Sequence, residues 1–306
     1  MVPKPSPRTG GGGAGSGGDG IDDKDAKHMF DRIGGIIQQQ VHNAAEKFRN
    51  ELQGFISHAT YNGVKTEVTN VCDLDYKYET SATTGKTNPC LNRSSVRFSD
   101  TKGAYCSRSG IKGNNTGSGG ACAPFRKLHM CDRNLEEIQP HQINNTDNLL
   151  ADVCLAALHE GKSIRTQYKQ IENGYKSGLC TALARSFADI GDIVRGKDLF
   201  LGHQQRKKEL EKRLVEMFKN IGKNNNNNEL RNLSLDKFRE YWWNANRQQV
   251  WNAMICGVEQ NAKYFRESSS DKGGIYDKCR CASGNVLTNF DYVPQFLRWF
   301  EEWAED

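Results

Sequence analysis

The stretch Asp31-Arg-Ile-Gly-Gly-Ile-Ile-Gln-Gln-Gln-Val41-His-Asn-Ala-Ala-Glu-Lys-Phe48-Arg-Asn-Glu-Leu52-Gln-Gly-Phe55 sets the fold class. Ile33, Ile37, Val41, Ala44, Phe48, Leu52 and Phe55 recur at steps of 4, 4, 3, 4, 4 and 3. That spacing places them on one face of a helix, so an amphipathic helix is expected over 31–58. Upstream, residues 1–20 hold eight Gly and three Pro, a leader with nothing to bury. Downstream, residues 60–150 lose the helical period. They are turn-rich and carry Cys72, Cys90, Cys106, Cys122 and Cys131, with a Gly/Asn/Ser tip at 113–120. Irregular structure pinned by disulfides is expected there.

The period returns over 149–175, 180–194, 204–220 and 235–265. A last helix starts near Pro294, well suited to a first turn. Its apolar face (Phe296, Leu297, Trp299, Phe300, Trp303) is expected to need a partner beyond the end. All five Trp lie between 242 and 303, and Tyr241, Trp242, Trp243 and Trp251 read as core. The Asn224–Asn228 run reads as a loop without a role of its own.

The 306 residues carry 42 Lys and Arg against 37 Asp and Glu, for a net charge of +5. The pI is near 8.6 and the mean hydropathy is −0.74, so a core is present but not generous. No apolar run approaches the roughly 18 residues of a membrane span. Ten cysteines (the five above with Cys154, Cys180, Cys256, Cys279 and Cys281) form an even set without metal-site spacing. All ten are candidates for disulfides in an oxidising compartment. They allow about 945 connectivities, which the sequence does not resolve. No apolar signal segment follows Met1, a mismatch with a disulfide-bonded protein that leaves two readings, a signal missing from this sequence or another export route.

Catalytic patterns fail one by one. Gly191 to Asp198 resembles a phosphate-binding loop, but Asp198 stands where Ser or Thr would hold magnesium, and helix precedes it rather than strand. His159-Glu160 lacks a second zinc-spaced His, and no nucleophile elbow occurs. Arg133-Asn-Leu-Glu-Glu137 matches a short RxLxE export pattern, yet reads better as a charged helix start. No enzyme, metal or cofactor is expected. Asn92, Asn114, Asn144 and Asn232 occupy glycosylation sequons.

Charge gives the functional lead. Between 203 and 223, Arg206, Lys207, Lys208, Lys212, Arg213, Lys219 and Lys223 stand against three Glu. Spaced cations on one helix suit a polyanion such as a sulfated glycan. Lys24, Lys27 and Arg32 would join them if the N-terminal helix docks nearby. A solvated, internally paired helix face is the plainer alternative. Nucleic acid would use the same charges, but no stacking platform accompanies them.

Five strings, taken together, carry a family resemblance: 25–34, 121–136, 184–198, 239–251 and 291–306. In that order, over nearly the whole chain, they closely resemble the N-terminal segment and Duffy-binding-like alpha domain of the Plasmodium falciparum erythrocyte membrane protein 1 variant antigen family. The resemblance implies a mainly α, disulfide-stapled fold with an irregular cysteine-rich first subdomain. It implies a leader and N-terminal segment at 1–60, subdomains at 61–150 and 151–270, and the start of a third at 271–306. It implies export to the infected red-cell surface without a standard signal peptide, with an anchor elsewhere in the longer protein. The function implied is cytoadhesion or rosetting on host receptors: heparan sulfate-like glycans, blood-group sugars or complement receptor one. A head segment supporting a neighbouring binding domain of the same chain is the alternative.

Overall fold

The structure, a computed structural model, describes residues 23–82, 88–99, 103–116, 120–170, 178–202, 205–259, 262, 264, 279–280 and 284–305. Helices dominate. They are α1 (Ala26–Ala45), α2 (Arg49–Leu52), α3 (Phe125–Leu128), α4 (Arg133–Glu137), α5 (Thr146–Gln170), α6 (Leu179–Arg195), α7 (Gln205–Asn224), α8 (Asn228–Arg231), α9 (Leu235–Met254) and α10 (Gln295–Glu305). One two-stranded hairpin, β1 (Thr60–Tyr61) with β2 (Val64–Lys65), pairs Thr60 with Lys65 across an Asn62-Gly63 turn. Both turn residues have positive φ, as a tight hairpin requires.

The core is built on α5, α6 and α9, which pack on one another. Every residue of α6 from Cys180 to Arg195 is buried. Helix α5 crosses α9 where Gly161 lets the backbone of Met254 come close; a Cβ there would lie 1.9 Å from the Met254 carbonyl oxygen. Trp242, Trp243 and Trp251 are fully buried, with Phe187 ring-packed against Trp243 and Trp251. The aromatic run is therefore core, as its spacing indicated.

The expected 31–58 helix breaks after Ala45 into a 3-10 turn and α2. Its apolar stripe is only half used. Phe48 and Leu52 are buried, whereas Ile33, Ile37 and Phe55 are exposed by 39%, 36% and 47%. Asp31 and Gly34 face inward instead. Asp31 accepts hydrogen bonds from the Asn289 amide (2.6 Å) and the Thr288 hydroxyl (3.2 Å), and Gly34 sits directly against the Asn289 carbonyl. A buried polar clasp displaces the aliphatic face. Helix α9 ends at Met254, short of the expected 265: Gly257 takes a left-handed φ of 72° and Cys256 is bridged to Cys72.

Among the described residues four disulfides join Cys72–Cys256, Cys90–Cys131, Cys106–Cys122 and Cys180–Cys279. Cys154 corrects the expectation that all ten pair: it is a free thiol, buried in α5, with its pKa pushed up by burial. Cys281 lies outside the described residues. The Asn run is also more than a loop. Asn227 caps α8 through the Leu230 amide and donates to Glu51 (2.8 Å), and Asn224 donates to the Asn144 carbonyl (3.0 Å).

Helix α10 docks with its charged face inward. Arg298 reaches Asp189 (2.9 Å) and Asp192 (2.6 Å), Arg126 reaches Glu302 (2.8 Å), and Arg185 reaches Glu301 (2.8 Å). Of the residues read as its apolar face, Trp299 is buried, while Phe296, Phe300 and Trp303 point outward. No helix among the described residues is long and apolar enough to cross a membrane.

Candidate functional site

Helix α7 rests on α4 and on the turn at Pro140–Gln142, and its sequence divides its cations between two faces. Lys207 turns inward to the buried carboxylate of Asp132, with Glu136 at 3.8 Å. Burial would push the Asp132 carboxyl up, but Lys207 and Arg93 hold it well below the usual carboxylate range. Arg213 also turns inward and donates to the Glu136 carbonyl oxygen. These two cations fasten the helix to the molecule.

The outward face holds Lys208, Lys212, Lys219 and Lys223, all exposed. At 100° per residue they fall within about 60° of one another, and 15 residues of rise spread them over roughly 22 Å. Lys212 pairs with Glu209 at 3.0 Å, an exposed contact of small energetic worth. Lys208, Lys219 and Lys223 make no ion pair with a described residue. Leu210, Leu214, Met217, Phe218 and Ile221 on the opposite side are buried, which fixes the stripe's orientation. Arg206 lies in the helix, but its side chain is outside the described residues.

The N-terminal cations are spent differently. Lys27 bonds Glu305 at 2.5 Å and Arg32 bonds Asp23 at 2.5 Å. Lys24 is exposed but also has a contact of its own. Lys27 and Arg32 lie on α1, which packs on α9 and on the turn at Phe290–Tyr292, while α7 packs chiefly on α4 and the Pro140–Gln142 turn. Lys27 and Arg32 thus serve local pairing rather than an extension of the stripe.

Beside the N-terminal half of α7 lies a cavity of about 320 Å³. Its walls are Ile193, Phe200, Leu201, Leu210 and Leu214, and its rim carries Lys112, Lys208 and Lys212. The sequence offered no sign of Lys112, which is 96 residues before Lys208. It arrives through backbone pairing: the Lys112 amide donates to Leu199 O (2.8 Å) and the Leu201 amide to Gly110 O (2.9 Å). Lys112, like Lys208, makes no ion pair with a described residue.

The other sequence candidates resolve into scaffold. Gly196 is the left-handed C-cap of α6, so the 191–198 string is a helix end. Glu160 is fully buried on Arg97 (2.5 Å) and accepts from Ser186 (2.7 Å). Leu135 of the RxLxE string is buried, and Arg133 pairs with Glu136 and Glu137. Asn114 is buried, with its side-chain amide clasping both polar groups of the Ala121 backbone, which engages the nitrogen that a glycan would need. Among the described residues no group of three His, Cys, Asp or Glu is placed to hold a metal ion.

Comparison with known proteins gives a consistent picture. Residues 120–298 match the Duffy binding domain family, and 25–60 match the N-terminal segments of PfEMP1. The chain is 26% identical over 197 residues to the Duffy receptor of Plasmodium vivax (strain Salvador I), covering 60% of this chain and 15% of that protein. Among solved structures, the NTS-DBL1α and CIDRγ double domain of PfEMP1 from the Plasmodium falciparum varO strain superposes with a TM-score of 0.80. Its identity is 37%, over 91% of this chain and 43% of that one. A PfEMP1 DBLβ domain bound to human ICAM-1 superposes with a TM-score of 0.72 at 28% identity, over 90% of this chain and 61% of the other. This chain thus spans less than two thirds of the length of each of these relatives.

Proposed function

This chain belongs to the Duffy binding domain family, as an N-terminal segment joined to a Duffy-binding-like domain of the PfEMP1 kind, and on that basis we propose that it is a non-enzymatic adhesin head. It acts at the surface of the infected erythrocyte, where it captures a host receptor on uninfected red cells. The reading is supported by its relatives, one of which is the Duffy receptor of Plasmodium vivax and another a PfEMP1 DBLβ domain bound to human ICAM-1.

The α7 stripe carries the assignment. Its four lysines are exposed and co-facial, and three of them spend no charge within the described molecule, whereas most cations in the family-defining strings are buried in ion pairs. Such a row suits a sulfated, heparan sulfate-like chain, whose regularly spaced charges ask for cations at intervals along a surface. Binding of this kind is long-range and screened, so it weakens as the Debye length contracts from about 10 Å at 0.1 M salt to about 3 Å at 1 M.

Charge reversal of Lys208, Lys219 and Lys223 together tests the assignment. The expected result is elution from immobilised heparin at lower salt and a flatter dependence of affinity on ionic strength. Unchanged elution would remove the stripe from the site. A supporting-head role is favoured by one observation, the outward Phe296, Phe300 and Trp303 of α10. That role predicts no red-cell binding by this chain alone and binding restored when a neighbouring domain is attached.

A further inference from the structure

The stripe does not lie on a flat surface: the cavity described above opens beneath its N-terminal end, and its interior is apolar. We infer that this cavity seats one large apolar side chain of an acidic protein segment, so that the receptor contact includes polypeptide. The inference rests on the reading of the α7 face as the receptor-binding face and names the partner chemistry at one end of it.

Three features carry the inference. The walls are aliphatic and aromatic, and about 320 Å³ is ample for a single leucine, phenylalanine or tryptophan side chain. The two carboxylates in the lining are already engaged. Glu211 takes a two-toothed contact from Arg239 (2.6 and 3.0 Å). Asp198 accepts from Lys127 (3.0 Å), Gln295 (2.9 Å) and the Phe200 amide (3.2 Å). The charge left at the rim is therefore positive, from Lys112 and Lys208, which have no described carboxylate partner.

A sulfated sugar chain would satisfy those lysines but gain nothing from the Ile193, Leu210 and Leu214 wall. A neutral apolar peptide would gain the wall but not the rim. An apolar residue flanked by Asp or Glu uses both, which is how ligand sites combine an apolar pocket with a few oriented polar groups. Electrostatic complementarity at the rim then speeds encounter, while the buried side chain slows release.

The probe is a set of three blocked pentapeptides: Asp-Glu-Trp-Asp-Glu, its Trp-to-Ala counterpart, and Asn-Gln-Trp-Asn-Gln. Titration of the intact, oxidised chain is expected to show the first binding at least about tenfold tighter than either control. Nuclear Overhauser contacts are expected from its indole to the methyls of Leu210 and Leu214. Leu201→Trp, which fills the cavity from its wall, should abolish the Trp-over-Ala preference while leaving heparin elution unchanged. Lys112→Glu should weaken the first peptide several-fold. Equal affinity for the Trp and Ala peptides, or indole contacts elsewhere on the chain, overturns the inference. Failure of the glycan reading is distinct: heparin elution would be indifferent to reversal of the stripe while the Trp preference remained.

Discussion

Asp152 shows how a single residue records its surroundings. It is fully buried in α5, where it accepts hydrogen bonds from the Thr80 hydroxyl (2.7 Å) and the Ser81 amide (3.0 Å). Burial pushes its pKa up to about 6, although those hydrogen bonds pull the other way. A carboxyl raised in the folded state stabilises the fold below its unfolded pKa, near 3.9, and that stabilisation is lost as pH rises through about 6. His159 works in the opposite sense, since burial lowers its pKa to about 4 and folding then weakens as pH falls below about 6.5. The informative quantity is therefore a difference. Asp152→Asn should gain stability relative to the native chain between pH 5 and 7.5, by on the order of 1–3 kcal/mol. Urea unfolding at several pH values reads it, and a difference that does not vary with pH would refute the account. Nothing in the sequence marked Asp152, because a lone Asp in an apolar helix has no signature until its neighbours are known. The same holds for Arg97, whose partner Glu160 is 63 residues away.

At the scale of elements, the closest approach of two helices is set by a glycine. An added Cβ at Gly161 would lie 1.9 Å from the Met254 carbonyl oxygen, so Gly161→Ala must push α5 and α9 apart. The expected cost is about 1–3 kcal/mol or more from overpacking, against a helix-propensity gain of at most about 1 kcal/mol. Gly222→Ala in α7 is the control. Its Cβ would meet only the Phe238 ring, at 3.6 Å, and the change should be neutral or stabilising. Equal urea midpoints for the two variants would contradict this picture. Helices α5, α6, α7, α9 and α10 were legible from apolar period alone, but α10 docks through Arg298, Glu301 and Glu302 and leaves Phe296, Phe300 and Trp303 of the marked face outward. Boundaries were less so. The end of α9 depends on a bridge to Cys72, and α1 turns Asp31 and Gly34 inward because a distant turn supplies hydrogen-bond donors. Long-range partners decided both, and no local pattern encodes them.

For the whole molecule, the scaffold and the proposed binding face differ in where they spend their charges. Arg97, Arg126, Arg185, Arg195, Arg239 and Arg298 are buried and matched with carboxylates. These pairs anchor α10 and surround α6, so the cations of a string such as 184–198 are largely committed to the scaffold. The stripe on α7 is the counterpart, four lysines turned to solvent. The sequence located the cluster but not its division, since Lys207 and Arg213 look like their neighbours until α4 is placed beside them. The most direct test of the adhesin reading is binding of the intact, oxidised chain to uninfected red cells across a salt series. The native chain would be compared with the Lys208→Glu, Lys219→Glu, Lys223→Glu variant, each with and without soluble heparin. The account predicts binding by the native chain that heparin inhibits and that falls away by about 0.5 M salt, with the variant bound weakly at every salt concentration. Equal binding by both chains, indifferent to heparin, would contradict it.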